Sequence, residues 1–68
     1  MIKLLELREA RHITQKRLAE LSNVPQQTIS AIESGERKNP GIITLQKLAA
    51  ALGCKVDDML PDNGGGDE

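Results

Sequence analysis

Two adjacent amide side chains, Gln26 and Gln27, follow a proline at a point where a helix is expected to begin. Pro25 favours a helix start, because its φ is already helical and its missing N–H would be unpaired in the first turn. At about 100° per residue, one face of this helix carries only amide or small side chains, namely Gln26, Gln27, Ser30, Ala31 and Ser34. This face offers hydrogen-bonding groups but has neither charge nor bulk.

The chemistry that suits such a face is the recognition of base edges in the major groove of DNA. A glutamine amide can form paired hydrogen bonds with N6 and N7 of adenine, and short Ser and Ala side chains allow a close approach to the bases. When a helix docks into the major groove in this way, its N-terminal end, where Gln26 and Gln27 stand, points into the groove. The alternative is that these are ordinary solvated polar residues, and this helix alone does not decide between the two interpretations.

Five short helices and no strand are predicted to position this face. Apolar residues at helical spacing indicate helices over residues 1–11, 15–22, 25–34, 42–52 and 56–60. In the second helix, Leu18, Ala19 and Leu21 are expected to face inward. Thr14 is expected to cap that helix, and Asn23, which tolerates the left-handed conformation, to form the sharp turn after it. Glycines are expected to end the third and fourth helices, at Gly35 and Gly53.

Length and composition indicate a single small domain. The 68 residues contain no Phe, Tyr or Trp, so the core must consist of Leu, Ile, Val and Ala. Residues 1–56 hold all nine Lys and Arg and five acids, a net charge of +4, whereas the other five acids lie in the last twelve residues. A basic body of this kind is compatible with nucleic-acid binding. We expect a domain over residues 1–60 and a flexible, acidic, glycine-rich tail over residues 61–68.

The sequence lacks the features of membrane, secreted or catalytic proteins. No apolar run approaches the roughly 18 residues of a membrane span, and the N-terminus lacks the pattern of a secretion signal. The one cysteine cannot form an internal disulfide, so we expect a cytoplasmic protein. His12, in an expected loop, and Cys54, at an apolar helix end, have no recognisable catalytic partner, and no metal-ligand cluster is present. Neither an enzyme nor a cofactor nor a bound metal is expected.

Four segments of the sequence match the pattern of one known family. They are LREARHITQKRLAE (Leu7–Glu20), NVPQQTISAIESGER (Asn23–Arg37), NP with TLQKLAAALG (Asn39–Gly53) and VDDML (Val56–Leu60). Through their order and spacing, the run from Ile2 to Leu60 resembles the phage repressor and Cro-type helix-turn-helix family, also called the xenobiotic-response-element family. The resemblance implies an all-α, compact five-helix, lambda-repressor-like domain whose second and third helices form the helix-turn-helix. It also implies a prokaryotic or phage transcription regulator that binds palindromic double-stranded DNA as a homodimer, with the helix Pro25–Ser34 in the major groove.

The resemblance further implies roles for individual residues. DNA bases would be contacted by Gln26, Gln27, Ser30 and Ala31. Phosphates would be contacted from the start of the second helix and from the end of the third helix and its following loop, by Gln15, Ser34, Arg37, Lys38 and Asn39. An internal ion pair between the first and third helices is expected from Arg8 and Glu33. Periodicity places Glu33 only at the edge of the inner face, so two solvated charges are the alternative.

The sequence leaves alternatives for the partners of the protein. Ile43 occupies a position that is usually polar in the family, and we expect it to lie in a dimer interface with Met59 rather than to be a stray surface residue. The alternative to a DNA-reading regulator is an antitoxin-like or other helix-turn-helix module whose main partner is a protein. RNA binding is disfavoured, because no aromatic residue can stack on a base. There is no room for a separate ligand-binding domain, so no small-molecule ligand is expected.

Overall fold

A computed structural model of the chain describes residues 2–37 and 39–60, and this part consists of helices and loops without a strand. The helices are α1 (Leu4–Ala10), α2 (Gln15–Ser22), α3 (Gln26–Ser34), α4 (Ile42–Leu52) and α5 (Val56–Met59). The predicted all-α, five-helix architecture is confirmed. The expected tail over residues 61–68 lies outside the described residues. Over the ranges that are described, no helix is long and apolar enough to cross a lipid bilayer.

Two helices begin later than the sequence pattern predicts. α1 starts at Leu4, and the residue before it, Lys3, donates its backbone N–H to the carbonyl oxygen of Met59 at 2.8 Å. This bond ties the start of the chain to α5. Pro25 lies before α3 as its N-cap residue, and its carbonyl oxygen accepts the first hydrogen bonds of that helix. The helix that carries the two glutamines therefore begins with Gln26 itself.

The core is built from aliphatic side chains and one methionine, and every helix contributes to it. Within the described residues the buried apolar side chains are Leu4, Leu18, Val24, Ile29, Ile32, Leu45, Leu48, Ala49, Leu52 and Met59. α2 packs against both α3 and α4, α1 packs against α3, and α4 packs against α5. Because α1 and α2 both contact α3, the orientation of α3 is set from two sides.

The C-terminal end of α2 differs from the sequence expectation. Leu21, expected to face inward, is 47% exposed, and Ser22 takes the buried position instead. The Ser22 hydroxyl donates to the carbonyl oxygen of Leu18 at 2.7 Å and accepts from the N–H of Val24 at 3.2 Å. A buried hydroxyl is tolerated here because its hydrogen and one of its lone pairs are both used. This serine therefore links α2 to the turn that follows.

The turn between α2 and α3 is short and closed by a backbone hydrogen bond. Asn23 adopts the predicted left-handed conformation, with a φ of 61°, and its N–H donates to the carbonyl oxygen of Ala19 at 2.9 Å. Asparagine tolerates this conformation better than most residues do. The side chain of Val24 follows and is buried in the core. Together α2, this turn and α3 form the predicted helix-turn-helix.

The first turn of α2 is capped by Thr14, as predicted, because its side-chain oxygen accepts from the backbone N–H of Arg17 at 3.0 Å. Thr14→Ala is expected to lower the free energy of unfolding by about 1 kcal/mol. That change corresponds to a fall of about 4–8 °C in Tm for a domain of this size. Thermal unfolding followed by circular dichroism measures the shift. Thr14→Ser, which keeps the hydroxyl, is the control, and equal Tm values for the two variants would contradict the capping role.

α3 and α4 both end at glycines, as predicted. Gly35 and Gly53 have φ values of 85° and 71°, a region that residues with a Cβ rarely adopt. After α4, the N–H groups of Gly53 and Cys54 donate to the carbonyl oxygens of Ala50 and Ala49, at 3.2 and 3.0 Å. This pair of bonds is the Schellman motif, which satisfies carbonyl groups that the end of the helix would otherwise leave unpaired.

Candidate nucleic-acid interface

One face of α3 lies open to solvent and carries no charged side chain. Its exposed residues are Gln26, Gln27, Ser30 and Ser34, and Ala31 on the same face is half-buried. On the opposite face the side chains of Ile29 and Ile32 are buried in the core. The structure therefore brings the four residues predicted to contact bases onto one surface of one helix.

This surface can form hydrogen bonds without bringing a charge to its ligand. The amides of Gln26 and Gln27 each carry both donor and acceptor groups. One turn later, Ser30 and Ala31 are small. A helix with its side chains is about 10–12 Å in diameter, and the major groove of B-DNA is about 12 Å wide. Short outer side chains therefore allow α3 to approach the base edges closely.

Arg8 on α1 and Glu33 on α3 form an ion pair with two hydrogen bonds. Arg8 Nε donates to Glu33 Oε2 at 2.7 Å, and Arg8 Nη2 donates to Glu33 Oε1 at 3.1 Å. The two side chains are only 13% and 5% exposed. The hydrogen bond to Glu33 raises the pKa of Arg8 above its usual value, although desolvation opposes this effect. The structure thus brings the two residues of the expected ion pair together, and the pair joins α3 to α1.

The ion pair extends to the N-terminus of α2. The Nη1 group of Arg8 donates to the carbonyl oxygen of Ile13 at 2.7 Å, in the loop before α2. Gln15, the first residue of α2, donates from Nε2 to Glu33 Oε1 at 2.9 Å. The sequence predicts Gln15 as a phosphate contact and the ion pair as a separate feature. In the structure these three side chains form one hydrogen-bonded group that joins α1, α2 and α3.

The end of α3 and the loop after it carry the other predicted phosphate contacts. Arg37 and Asn39 are exposed, and the N–H of Arg37 donates to the carbonyl oxygen of Ala31 at 3.0 Å, which folds the loop back onto α3. The Ser34 hydroxyl also donates to Ala31, at 3.1 Å. Because a phosphate only accepts hydrogen bonds, Ser34 would have to break this bond to donate to one. Lys38 lies outside the described residues.

The expected interface pair of Ile43 and Met59 is not found on one surface. Met59 is fully buried, with 0% exposure, so its predicted place in a dimer interface is wrong. The short α5 packs against α4, and this long apolar side chain completes the core between the helices. Ile43 is 65% exposed, and its neighbour Ile42, which is not among the predicted interface residues, is 59% exposed. The signal for Ile42 was its place next to Ile43 in the first turn of a helix whose core positions begin at Leu45.

His12 and Cys54, the two residues considered for catalysis, lie in the loops that follow α1 and α4. His12 is exposed in the loop between α1 and α2, where it has a φ of 57°. Cys54 is half-buried, and burial raises the pKa of its thiol. The nucleophilic thiolate is therefore disfavoured at neutral pH. Over residues 2–37 and 39–60, no three His, Cys, Asp or Glu side chains are grouped so that they could hold a metal ion.

Comparison with known proteins identifies similar chains among bacterial regulators. The helix-turn-helix family model matches residues 4–59. RghRB of Bacillus subtilis, an uncharacterized HTH-type transcriptional regulator, is 42% identical over 57 residues, which are 84% of this chain and 41% of that protein. PuuR of Escherichia coli, an HTH-type transcriptional regulator, is 35% identical over 60 residues, which are 88% of this chain and 32% of that protein.

A third relative is named as an antitoxin rather than as a transcriptional regulator. The putative antitoxin HigA2 of Mycobacterium tuberculosis is 38% identical over 55 residues, which are 81% of this chain and 54% of that protein. The chain therefore spans between 32% and 54% of the length of these three relatives. The family model covers most of the chain, and the five described helices all lie within the matched range. The chain belongs to the helix-turn-helix family, in its phage repressor and Cro-type, or xenobiotic-response-element, branch.

Proposed function

We propose that the chain is a sequence-specific DNA-binding regulator of transcription whose helix α3 reads base edges in the major groove. The observation that carries this proposal is the exposed face of α3, where amide and small side chains stand without a charge on a helix whose other face is buried. The exposed positions of α1 and α2, by contrast, include Lys, Arg and Glu. A face that meets base edges needs hydrogen-bonding groups and little bulk, and α3 has both properties.

In this proposal the N-terminal end of α3 makes the base contacts through Gln26 and Gln27, and Ser30 and Ala31 approach the bases one turn later. Gln15 donates to a phosphate at the N-terminus of α2, where unpaired backbone N–H groups also favour an anion. The end of α3 and the loop after it contact the DNA backbone on the other side of the groove. The residues proposed for these contacts are Ser34, Arg37, Lys38 and Asn39.

We further propose that two copies of the chain bind a palindromic operator as a homodimer. In helix-turn-helix dimers the recognition helices lie about 34 Å apart, so the half-sites are about 10 bp apart, centre to centre. The exposure of Ile42 and Ile43 supports a dimer, because they are the two most exposed large apolar residues of the described chain. Covering them with a second copy would remove apolar surface from water.

Ile43→Gln is expected to raise the dissociation constant of the dimer about tenfold or more. Each copy would lose one apolar side chain from the interface. Fully burying such a side chain contributes about 1.5–3 kcal/mol, and losing even half of that from both copies exceeds the roughly 1.4 kcal/mol of a tenfold change. Sedimentation equilibrium without DNA measures the constant. Leu5→Gln, which replaces a less exposed leucine on α1 by the same amide, is the matched control. Equal dissociation constants for the two variants would contradict a role for Ile43 in the interface.

The proposal includes no catalytic step, no cofactor and no small-molecule effector. Such a regulator acts where the DNA of a prokaryotic or phage-infected cell lies, in the cytoplasm. Its activity would then be controlled by its abundance, by competition with other proteins at a promoter, or by a protein partner.

A second candidate is a helix-turn-helix module whose main partner is a protein. The similarity to a protein named as a putative antitoxin favours this alternative. The exposed Ile42 and Ile43 offer apolar surface to a different protein as well as to a second copy of the chain. In this alternative, substitutions on the exposed face of α3 would leave the main interaction unchanged.

Selection of bound duplexes from a random DNA library separates the two candidates. At about 0.1 M salt, where charge attraction is already screened over about 10 Å, we expect a palindromic consensus with half-sites about one helical turn apart. Gln46→Ala, which removes an exposed amide from α4, should select the same consensus. If the folded chain enriched no sequence, the regulator proposal would be contradicted and the protein-binding module would be favoured.

A further inference from the structure

We infer that Glu33 is a positioning residue for DNA binding, because it holds the amide of Gln15 in an orientation from which that amide can donate to a phosphate. The inference rests on the proposed function given above. The contact itself is direct: Gln15 Nε2 donates to Glu33 Oε1 at 2.9 Å. It joins the first residue of α2 to the last turn of α3, so it connects the two helices of the helix-turn-helix.

The chemistry of this contact determines which end of the Gln15 amide faces Glu33. An ionised carboxylate only accepts hydrogen bonds, so the NH2 group of Gln15, and not its carbonyl oxygen, must point towards Glu33. The NH2 group has two hydrogens, and one of them is used in this bond. A phosphate oxygen also only accepts, so the second hydrogen of the same nitrogen can be donated to it. Gln15 is half-buried, which leaves part of the side chain open to a ligand.

Holding the amide in place before DNA arrives lowers the cost of the phosphate contact. Glutamine is among the side chains that lose most rotamer freedom when they are immobilised, and that loss opposes binding when it occurs at the interface. Here the Gln15 amide is already bonded in the DNA-free chain. Its partner Glu33 is itself held by two hydrogen bonds from Arg8. The rotamer freedom of Gln15 is therefore reduced on folding rather than on binding.

Arg8 makes this arrangement compatible with a polyanion. A lone carboxylate beside a phosphate contact would repel the DNA. The guanidinium of Arg8 donates to both oxygens of the Glu33 carboxylate, at 2.7 and 3.1 Å, and so compensates its charge. The Glu33 side chain is also only 5% exposed. Glu33 can therefore orient Gln15 without presenting a negative charge to the DNA.

The first test uses the unmodified chain without DNA. Nuclear spin relaxation of the side-chain NH2 groups is expected to show a higher order parameter for Gln15 than for three exposed glutamines on other surfaces, Gln26, Gln27 and Gln46. In a chain with Arg8→Met and Glu33→Leu together, which leaves no charge of the pair uncompensated, the order parameter of Gln15 is expected to fall to that of the other three. Equal order parameters for Gln15 and Gln46 in the unmodified chain would overturn the inference.

The second test measures whether Gln15 acts through the pair. In the unmodified chain Gln15→Met is expected to weaken binding to the selected operator about tenfold, because a hydrogen bond to a charged group is lost. In the chain with Arg8→Met and Glu33→Leu, the same substitution is expected to change affinity by about twofold or less, since the amide is no longer held in place. Gln46→Met is the control for the loss of an amide, and its effect on affinity should be the same in both backgrounds.

The possible outcomes distinguish this inference from the function on which it rests. If the unmodified chain bound no DNA, the proposed function and the phosphate contact of Gln15 would both be wrong. If Gln15→Met weakened binding about tenfold in both backgrounds, the function would stand and only the positioning role of Glu33 would be overturned. A loss confined to the background that keeps Arg8 and Glu33 supports the inference.

Discussion

Arg8→Ala is expected to lower the free energy of unfolding by about 3–5 kcal/mol, because the carboxylate of Glu33 would stay buried without its partner. Glu33 is only 5% exposed and receives two hydrogen bonds from Arg8. The carbonyl oxygen of Ile13 would lose its bond to Arg8 as well. At roughly 0.05–0.15 kcal/mol per residue, a chain of this length has a total stability of about 3–10 kcal/mol. The expected loss is therefore a large fraction of the total stability.

Urea unfolding followed by far-ultraviolet circular dichroism measures this effect. The matched control is Arg17→Ala, which removes an arginine from an exposed ion pair with Glu20 (Arg17 Nη1 to Glu20 Oε1, 3.2 Å). An exposed pair of this kind contributes about 0–1 kcal/mol, so the control should unfold almost as the unmodified chain does. Similar urea midpoints for Arg8→Ala and Arg17→Ala would show that the buried Arg8–Glu33 pair contributes no more to stability than the exposed Arg17–Glu20 pair.

Replacing both members of the pair is expected to cost less than replacing Arg8 alone. Arg8→Met together with Glu33→Leu leaves no uncompensated buried charge, and the apolar side chains can fill the same space. The urea midpoint of this double variant should therefore lie above that of Arg8→Ala. A lower midpoint would mean that the hydrogen bonds of the pair outweigh the cost of removing two charges from water.

Gln27→Ala is expected to change which DNA sequence is bound rather than how stable the chain is. A bidentate bond between a glutamine and an adenine contributes about 1–3 kcal/mol of discrimination against other bases, or about 5- to 150-fold in relative affinity. Gln27 is exposed in the first turn of α3. Its removal should therefore relax the preference at one base pair in each half-site while Tm changes little.

Affinities for the selected operator, and for operators changed at one base pair, measure this loss of preference. Gln46→Ala, which removes an exposed amide from α4, should leave the ratios between these affinities unchanged. Arg37→Ala should weaken binding to all sequences alike, because a phosphate contact carries no sequence information. It should also reduce the slope of log affinity against log salt by about 1 for each copy of the chain that is bound. If Gln27→Ala also weakened all sequences equally, α3 would not be reading bases through this residue.

Local signals in the sequence predicted much of the fold. The hydroxyl of Thr14 caps α2, Asn23 forms the left-handed turn, and Gly53 ends α4 in a Schellman motif, each as expected. These features depend on the chemistry of a few neighbouring residues, so the order of residues is enough to indicate them. The uncharged face of α3 could also be predicted from the sequence, because helical periodicity alone determines which side chains share a face.

Features that depend on contacts between distant parts of the chain could not be predicted from local sequence. Leu21 is exposed and Ser22 buried because the inner face of α2 is set by its contacts with α3 and α4. Met59 is buried because α5 packs against α4, although a methionine on a short terminal helix is equally compatible with an exposed position. The bond between Gln15 and Glu33 joins residues 18 positions apart. No spacing rule connects them, so only the packing of α2 against α3 shows that they meet.

The uncharged exposed face of α3 has a consequence for the speed with which an operator would be found. Attraction by phosphates reaches about 8–10 Å at physiological salt and acts on Lys and Arg rather than on amides. On unrelated DNA the proposed regulator would be held by its loops and helix ends, while α3 formed few bonds, so barriers to sliding along the duplex would be low. At the operator the glutamine amides would add short-range bonds and lengthen the residence time. The rate at which the operator is found and the residence time on it would then depend on different side chains. Natural selection could therefore adjust these two properties separately.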